Sequence, residues 1–155
     1  MRHALDYFDE RNEFYDAVLS IQPTAPLLKS RTIHSVVEKF HRTDCDAVFT
    51  VSLIEHAHPY LAKVLDGDET DIATDFLELS AGFQRYPRQV RPEIYYSNGA
   101  VFLRDRKMLE DIDESTNCLG LSPRVVVMSA AEATNIDSEF DFLIAEFLIA
   151  KLREV

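Results

Sequence analysis

The chain has 155 residues, of which 46% are hydrophobic and 28% are charged, a composition typical of one globular domain and not of a disordered chain. Its formal net charge of −11 disfavours binding to nucleic acid by bulk attraction, because most of the surface repels phosphates. An anionic ligand therefore needs local arginine or lysine side chains.

The sequence shows no secretion signal and no apolar stretch long enough to cross a membrane. The two cysteines, Cys45 and Cys118, lie far apart without a metal-binding spacing, which indicates free thiols in a reducing compartment. We therefore expect a soluble, cytoplasmic protein.

The first half of the chain reads as alternating helices and strands. We expect an exposed amphipathic helix from Arg2 to Phe14, a buried strand from Asp16 to Gln22 that ends in the turn "QPTAP", and a second buried strand from Asp46 to Ile54. Between the strands, Ser30 can cap a helix whose apolar face is formed by Ile33, Val36, Val37 and Phe40. Strand, helix and strand of these lengths predict a parallel sheet with right-handed crossovers, whose ligands bind at the carboxyl ends of the strands.

The pattern of the second half predicts an arm outside the sheet, followed by further strands of the sheet. Residues 60–97 are irregular and carry glycine and proline turn signals, so they read as an arm. The sheet then resumes with strands at Gly99–Asp105 and Arg124–Ser129 and a short helix between them, around Met108 to Ile112. The terminal helix has an apolar face for packing on the sheet, formed by Phe140, Leu143, Ile144, Phe147, Leu148 and Leu152.

Several short stretches could carry chemistry. In "EHAHP", His56 and His58 could bind zinc from an extended chain, or they form a polar loop at a strand end, since no third ligand has matching spacing. "RYPRQVRP" places three arginines together, either to bind a carboxylate or phosphate or to pair with nearby acidic residues.

Gln22, at the end of a strand, can hydrogen-bond a sugar hydroxyl or amide. Asp137 can cap the last helix or bind Mg²⁺, while Glu139 and Asp141 are first-turn charges that the helix dipole favours.

Four stretches in chain order carry a family resemblance: "IQPTAPLLKSRTIHSVV", "EHAHPYLAKV", "RQVRPEIYYSNGAVFL" and "NIDSEFDFLIAEFLI". They resemble the motifs Q-P-T-S-P-L-R, E-H-H-P, R-Q, N-G-A-I-Y and D-I-D of the acylneuraminate cytidylyltransferases. That family comprises the CMP-sialic acid synthetases and their relatives for legionaminic, pseudaminic and deoxy-octulosonic acids. The resemblance covers nearly the whole chain.

The resemblance implies an α/β, Rossmann-like nucleotidyltransferase fold: three α/β/α layers, a mainly parallel sheet and a protruding dimerisation arm at residues 60–97. It implies transfer of CMP from CTP to a nonulosonic acid, with Mg²⁺ as cofactor and pyrophosphate released, for lipopolysaccharide or capsule biosynthesis. It also implies a homodimer.

The resemblance assigns roles to individual residues. Gln22, Lys63, Arg88, Gln89, Asn98 and Gly99 match substrate-binding positions, with Arg88 facing the acidic sugar. Arg88 and Asp137 match catalytic positions, and Asp137 and Asn135 match the magnesium ligands.

The sequence also departs from the family pattern. Asn135 replaces the first metal-binding aspartate, and a neutral amide is a weaker ligand. Leu28, Tyr96 and Phe102 also replace an arginine, an arginine and a tyrosine of the pattern.

The family's loop that holds the CTP phosphates precedes Q-P-T, and the four glycines here never take a phosphate-loop spacing. We therefore expect residues 1–155 to be one N-terminally truncated domain, the C-terminal two thirds of the family domain, which associates as a homodimer or with a chain that supplies the rest. Alone it is expected to be inactive or incomplete; the alternative is a non-catalytic subunit for sugar-acid binding or assembly.

Overall fold

The computed structural model describes residues 1–65, 73–77, 91–111 and 119–153. The chain divides into two compact units, one of residues 1–52 with 97–155 and one of residues 53–96. Two predicted substrate-binding residues, Arg88 and Gln89, lie outside the described residues, as does much of the predicted arm at residues 60–97.

The described elements follow the predicted order of helices and strands. Most elements lie in the first unit: α1 (Arg2–Asp9), β1 (Ala17–Ile21), α2 (Ser30–Arg42), β2 (Ala47–Leu53), β5 (Tyr95–Asp105), α3 (Arg106–Glu110), β6 (Arg124–Met128) and α4 (Glu139–Arg153). The last residue of β2 and the first two residues of β5 belong to the second unit. The second unit carries a 3₁₀ turn (Pro59–Leu61) and the short strands β3 (Lys63–Leu65) and β4 (Ala73–Asp75), which pair antiparallel. None of the described helices is long and apolar enough to span a membrane.

The expectation of a mainly parallel sheet is wrong. The main sheet has the strand order β1-β5-β2-β6, and β1 pairs antiparallel with β5, whereas β2 pairs parallel with β6. β5 also runs antiparallel to β2. Asp105 N donates to Asp46 O and Val101 N donates to the Thr50 hydroxyl, so residue numbers decrease along β5 as they increase along β2. β1 and β2 therefore run in the same direction, as the predicted strand–helix–strand unit requires, but they are not neighbours because β5 lies between them.

The core forms where α2 covers one face of this sheet. Val36 of α2 is fully buried and belongs to a cluster with Val48 of β2, Val101 of β5 and Met128 of β6. The first six residues of β2 are all buried, as expected for a strand covered on both faces. β2 is thus the central apolar strand that the sequence predicts.

The two terminal helices differ from expectation. α1 ends at Asp9, earlier than the predicted Phe14, and an ion pair of 2.5 Å between Asp9 and Arg106 ties it to α3. α4 buries Ala145, but Phe140 is 70% and Phe147 is 61% exposed. The prediction that this apolar face packs on the sheet is therefore wrong for the described residues.

Candidate functional site

The loop that follows β1 contacts both the middle of β5 and the loop that follows β6, at one edge of the sheet. Gln22 N donates to Ala100 O at 2.9 Å, and Ile136 N donates to Thr24 O at 2.9 Å. The "QPTAP" turn therefore contacts both "NGA" and "NID", although the three stretches lie far apart in sequence. This is the grouping expected where strand ends meet at one edge of an α/β sheet.

Asn98 joins three strands through its side chain and is buried. Its Oδ1 accepts from the Thr50 hydroxyl at 2.6 Å and from Ala100 N at 3.2 Å, while its Nδ2 donates to the Ser52 hydroxyl at 2.9 Å and contacts Met128 Sδ at 3.4 Å. Both ends of the amide are thus used within the protein. Asn98 holds β5 to β2 and β6, and its contact with a substrate stays a prediction.

Gly99 follows with a left-handed backbone. Its φ is +76°, a conformation that side chains rarely adopt, yet a Cβ placed there would meet no atom within 4 Å. Backbone conformation, and not crowding, is what requires glycine here. Gly99 lies within β5 and precedes Ala100, whose carbonyl accepts from Gln22 N.

Asn135 and Asp137 interact directly. The Asn135 Nδ2 donates to Asp137 Oδ2 at 2.6 Å, and Asp137 is exposed. An amide N–H therefore occupies a carboxylate oxygen that a cation would otherwise share. The pair supplies one carboxylate and one neutral group, whereas Mg²⁺ prefers several oxygen ligands.

The described residues do not fit a magnesium site on their own. Within residues 1–65, 73–77, 91–111 and 119–153, no three or more histidine, cysteine or acidic side chains are grouped to hold a metal. Coordination of Mg²⁺ by Asp137 and Asn135 stays a prediction, and no step below depends on it.

The cap of α4 is made by Ser138 and Asp141, and not by the side chain of Asp137. Asp141 N donates to the Ser138 hydroxyl at 3.3 Å, and that hydroxyl donates to Asp141 Oδ2 at 2.7 Å, so Ser138 acts as the N-cap residue. Asp137 contributes its backbone N–H, which donates to the same carboxylate at 3.2 Å. The hydrogen bond from Ser138 lowers the pKa of Asp141, and Asp137 is left free of the capping role.

Glu132 is a residue that the sequence analysis missed. It is 4% exposed, and its Oε1 accepts from Lys29 N at 3.1 Å and from the hydroxyl of Thr32. The carboxylate therefore caps α2 from outside the helix, taking the role predicted for Ser30, and its charge suits the positive end of the helix dipole. No local pattern points to this role, because its partners lie about a hundred residues earlier.

In the second unit, His58 is a buried structural residue. Its Nδ1 accepts from Tyr60 N at 3.2 Å and so caps the 3₁₀ turn, and its Nε2 lies 3.4 Å from Pro92 O. His56 is exposed. These contacts favour the polar-loop interpretation of "EHAHP" over zinc binding.

The same unit contains an open cavity of about 350 Å³, lined among others by Glu55, His56, His58, Arg91 and Glu93. Lys63, a predicted substrate-binding residue, forms an ion pair with Asp75 across the β3–β4 pair. Its role toward a substrate stays a prediction.

Comparison with known proteins finds several relatives, although no protein-family model matches the chain. The chain is 28% identical over 137 residues to the post-translational flagellin modification protein B of Campylobacter coli, a match that covers 87% of this chain and 53% of that protein. It is 26% identical over 143 residues to the CMP-N,N'-diacetyllegionaminic acid synthase of Legionella pneumophila, covering 92% and 57%. It is 29% identical over 107 residues to an N-acylneuraminate cytidylyltransferase of Streptococcus agalactiae, covering 69% and 24%. The chain spans about half the length of the first two relatives.

Proposed function

Because the chain belongs to the acylneuraminate cytidylyltransferase family, as a relative that spans about half of the first members it matches, we propose that it serves the transfer of CMP from CTP to a nonulosonic acid. In this reaction the anomeric hydroxyl oxygen of the sugar bonds to the α-phosphorus of CTP. The bond from that phosphorus to pyrophosphate breaks, and the hydroxyl loses its proton.

The observation that carries the proposal is the meeting of the "QPTAP", "NGA" and "NID" stretches at one edge of the sheet. Two backbone hydrogen bonds, Gln22 N to Ala100 O and Ile136 N to Thr24 O, hold them together. A packing role alone would not require a family's dispersed polar motifs to converge, whereas a binding site does.

The residues of this edge suit a sugar acid. The exposed Gln22 carries both a donor and an acceptor, which match the hydroxyl and amide groups of such a sugar. Asp137 is the exposed carboxylate of the cluster and is proposed as a catalytic group. Arg88 lies outside the described residues, and from the family resemblance alone it is proposed to bind the sugar carboxylate, since a bidentate guanidinium suits that anion.

The test is a direct assay with binding as a second readout. The purified chain is incubated with CTP, N-acetylneuraminic acid and Mg²⁺, and CMP-sugar and pyrophosphate are measured by chromatography. Binding of the sugar acid is measured separately by calorimetry. Gln22→Ala should weaken sugar binding, while His34→Ala, at an exposed position on α2, should not. Absence of both product and sugar binding would contradict the proposal.

A second candidate function is sugar-acid binding without catalysis, and the bond from Asn135 to Asp137 favours it. The bond engages one oxygen of the Asp137 carboxylate, and Asn135 itself carries no charge, so a cation at this pair meets one carboxylate and not two. Product formation by the chain would overturn this candidate.

Metal binding gives an independent readout. Asn135→Asp should raise affinity for Mn²⁺, a probe for Mg²⁺, by about tenfold or more, because a second carboxylate replaces an N–H donor. Free Mn²⁺ is measured by its paramagnetic resonance signal. If the unaltered chain already binds Mn²⁺ as tightly as the variant, the bond does not exclude a cation and the second candidate loses its support.

A further inference from the structure

Two segments of the first unit carry exposed residues of the candidate site. Residues 22–29 begin with Gln22 and connect β1 to α2, and residues 129–137 lie between β6 and α4 and end with Asp137. A ligand that contacts both side chains requires a fixed distance between the two segments. The attachments between the segments therefore determine how well such a site is formed.

Among the described residues, two separate points attach these segments to one another. Near the site residues, Ile136 N donates to Thr24 O at 2.9 Å. At the start of α2, Glu132 Oε1 accepts from Lys29 N at 3.1 Å and from the hydroxyl of Thr32. One attachment alone would let either segment pivot on the other, whereas two separated attachments fix both their distance and their orientation.

Short-range hydrogen bonds also stiffen each segment. Ala25 N donates to Gln22 O and Leu28 N donates to Ala25 O, both at 3.2 Å, so successive turns connect Gln22 to the start of α2. In the other segment, Glu132 N donates to the Ser129 hydroxyl at 3.3 Å. A displacement at the carboxylate of Glu132 is therefore passed along both segments and reaches the site residues.

A helix cap alone does not require this carboxylate. Serine, aspartate or asparagine at position 29 would cap α2 locally at the surface, but the chain has a lysine there, and the first turn of α2 contains no acidic residue. Glu132 is 4% exposed, and desolvation of a carboxylate costs free energy that an exposed local cap avoids. The remote cap adds what a local one cannot supply, a link between the two segments.

We propose that Glu132 is a positioning residue of the candidate site, which holds residues 129–137 against residues 22–29 and so sets the distance between Gln22 and Asp137. Glu132 acts through these segments and does not contact the ligand. The proposal rests on the proposed function for the identity of the ligand, a sugar acid, but the attachment of the segments requires no ligand.

Three variants separate positioning from stability. Glu132→Ala removes the acceptor of both hydrogen bonds, whereas Glu132→Gln keeps an acceptor oxygen. Leu109→Ala is the control, because Leu109 is 3% exposed on α3, outside both segments. Its truncation should lower the free energy of unfolding at least as much as Glu132→Ala does.

The first readout is hydrogen exchange of the Ile136 amide, measured by NMR without any ligand. We expect Glu132→Ala to raise its exchange rate by about tenfold, because the opening that frees this amide no longer has to break the Glu132 hydrogen bonds. Glu132→Gln should raise the rate by less. Leu109→Ala should leave it unchanged, because Leu109 stays packed when the segment opens.

The second readout is the affinity for N-acetylneuraminic acid, measured by calorimetry. Glu132→Ala should weaken binding by about tenfold and Glu132→Gln by less, since loosened segments no longer hold Gln22 in place. In a chain that already carries Gln22→Ala, the change Glu132→Ala should weaken binding much less, because the positioned side chain is gone. A purely structural role for Glu132 predicts no such coupling.

The proposal can be overturned in two ways. An Ile136 exchange rate that Glu132→Ala leaves unchanged, or that Leu109→Ala raises equally, would leave Glu132 as a helix cap only. An equal loss of sugar affinity with and without Gln22→Ala would show that Glu132 does not act through Gln22. If the unaltered chain binds no sugar acid, the proposed function fails, and the exchange rates still decide whether Glu132 positions the two segments.

Discussion

Helices α2 and α4 both place apolar residues at helical spacing in the same unit of the protein, but α2 is apolar on one face and α4 on most of its circumference, and the two helices lie in different surroundings. In α2, Val36 is fully buried against the sheet, and Val37 and Phe40 pack around it. In α4, Phe140 and Phe147 remain mostly exposed. The comparison shows that periodicity determines that a helix forms, whereas burial depends on the surface that the rest of the chain offers.

The N-terminal caps of the two helices also differ, since one is buried and long-range and the other is exposed and local. α2 is capped by the buried Glu132, from a segment far along the chain, while α4 is capped by its own Ser138 and Asp141 at the surface. The first cap exists only in the folded protein. The second is local and can form whenever the helix does.

The largest expected effect is a difference in unfolding free energy between truncations on the apolar residues of α2 and of α4. Val36→Ala should lower the free energy of unfolding by about 2 kcal/mol, because it removes buried methyl groups and leaves a cavity. Phe147→Ala should change it by less than about 0.5 kcal/mol, since the ring contributes little buried area within this chain. Urea denaturation measures both values. Equal losses would mean that α4 is packed in solution and would remove the contrast.

The next effect contrasts the two caps. Glu132→Ala should lower the free energy of unfolding by about 1.5 kcal/mol, because Lys29 N and the Thr32 hydroxyl lose their acceptor in a buried place. Glu132→Gln keeps an acceptor oxygen and should lower the free energy of unfolding by less than Glu132→Ala does. Ser138→Ala, at the exposed cap, should cost only about 0.5 kcal/mol. A larger loss for Ser138→Ala than for Glu132→Ala would reverse the comparison.

The smallest effect is a pH dependence at the start of α4. The Ser138 hydroxyl holds the pKa of Asp141 below its ordinary value of 3.8 in the folded protein. The folded state thus favours the ionised form, so the stabilisation is complete above that ordinary value and is lost as the pH falls through the lowered pKa. Thermal unfolding between pH 5 and pH 2 should show this loss, and Asp141→Asn should remove it. An unchanged profile in the variant would show that other carboxylates account for the acid sensitivity.

Much of the fold could be predicted from local patterns. β1, β2 and β6 lie within the predicted strands, because apolar runs bounded by turn signals identify them. The strand order could not be predicted, since the insertion of β5 between β1 and β2 depends on contacts between distant residues. A rule that joins consecutive strands therefore gave the wrong sheet.

The candidate site could also be predicted only in part, because motifs identify single residues but not their distant partners. Gln22, Gly99 and Asp137 could be singled out from motifs, and the structure brings their segments together. The internal partners of Asn98 and the capping role of Glu132 could not be foreseen, because both depend on side chains from other strands and helices. A buried polar residue shows its role only through its partners.

The pairing of β1 with β5 has a consequence for how the chain folds. Ala17 pairs with Asp105, and Val48 with Arg124, so the β1–β5 and β2–β6 pairings each close a long loop. Loop closure must precede the gain from such contacts, and chains rich in them fold slowly. β1 leaves the ribosome long before its partner strand, and its apolar residues stay unpaired until β5 has been synthesised.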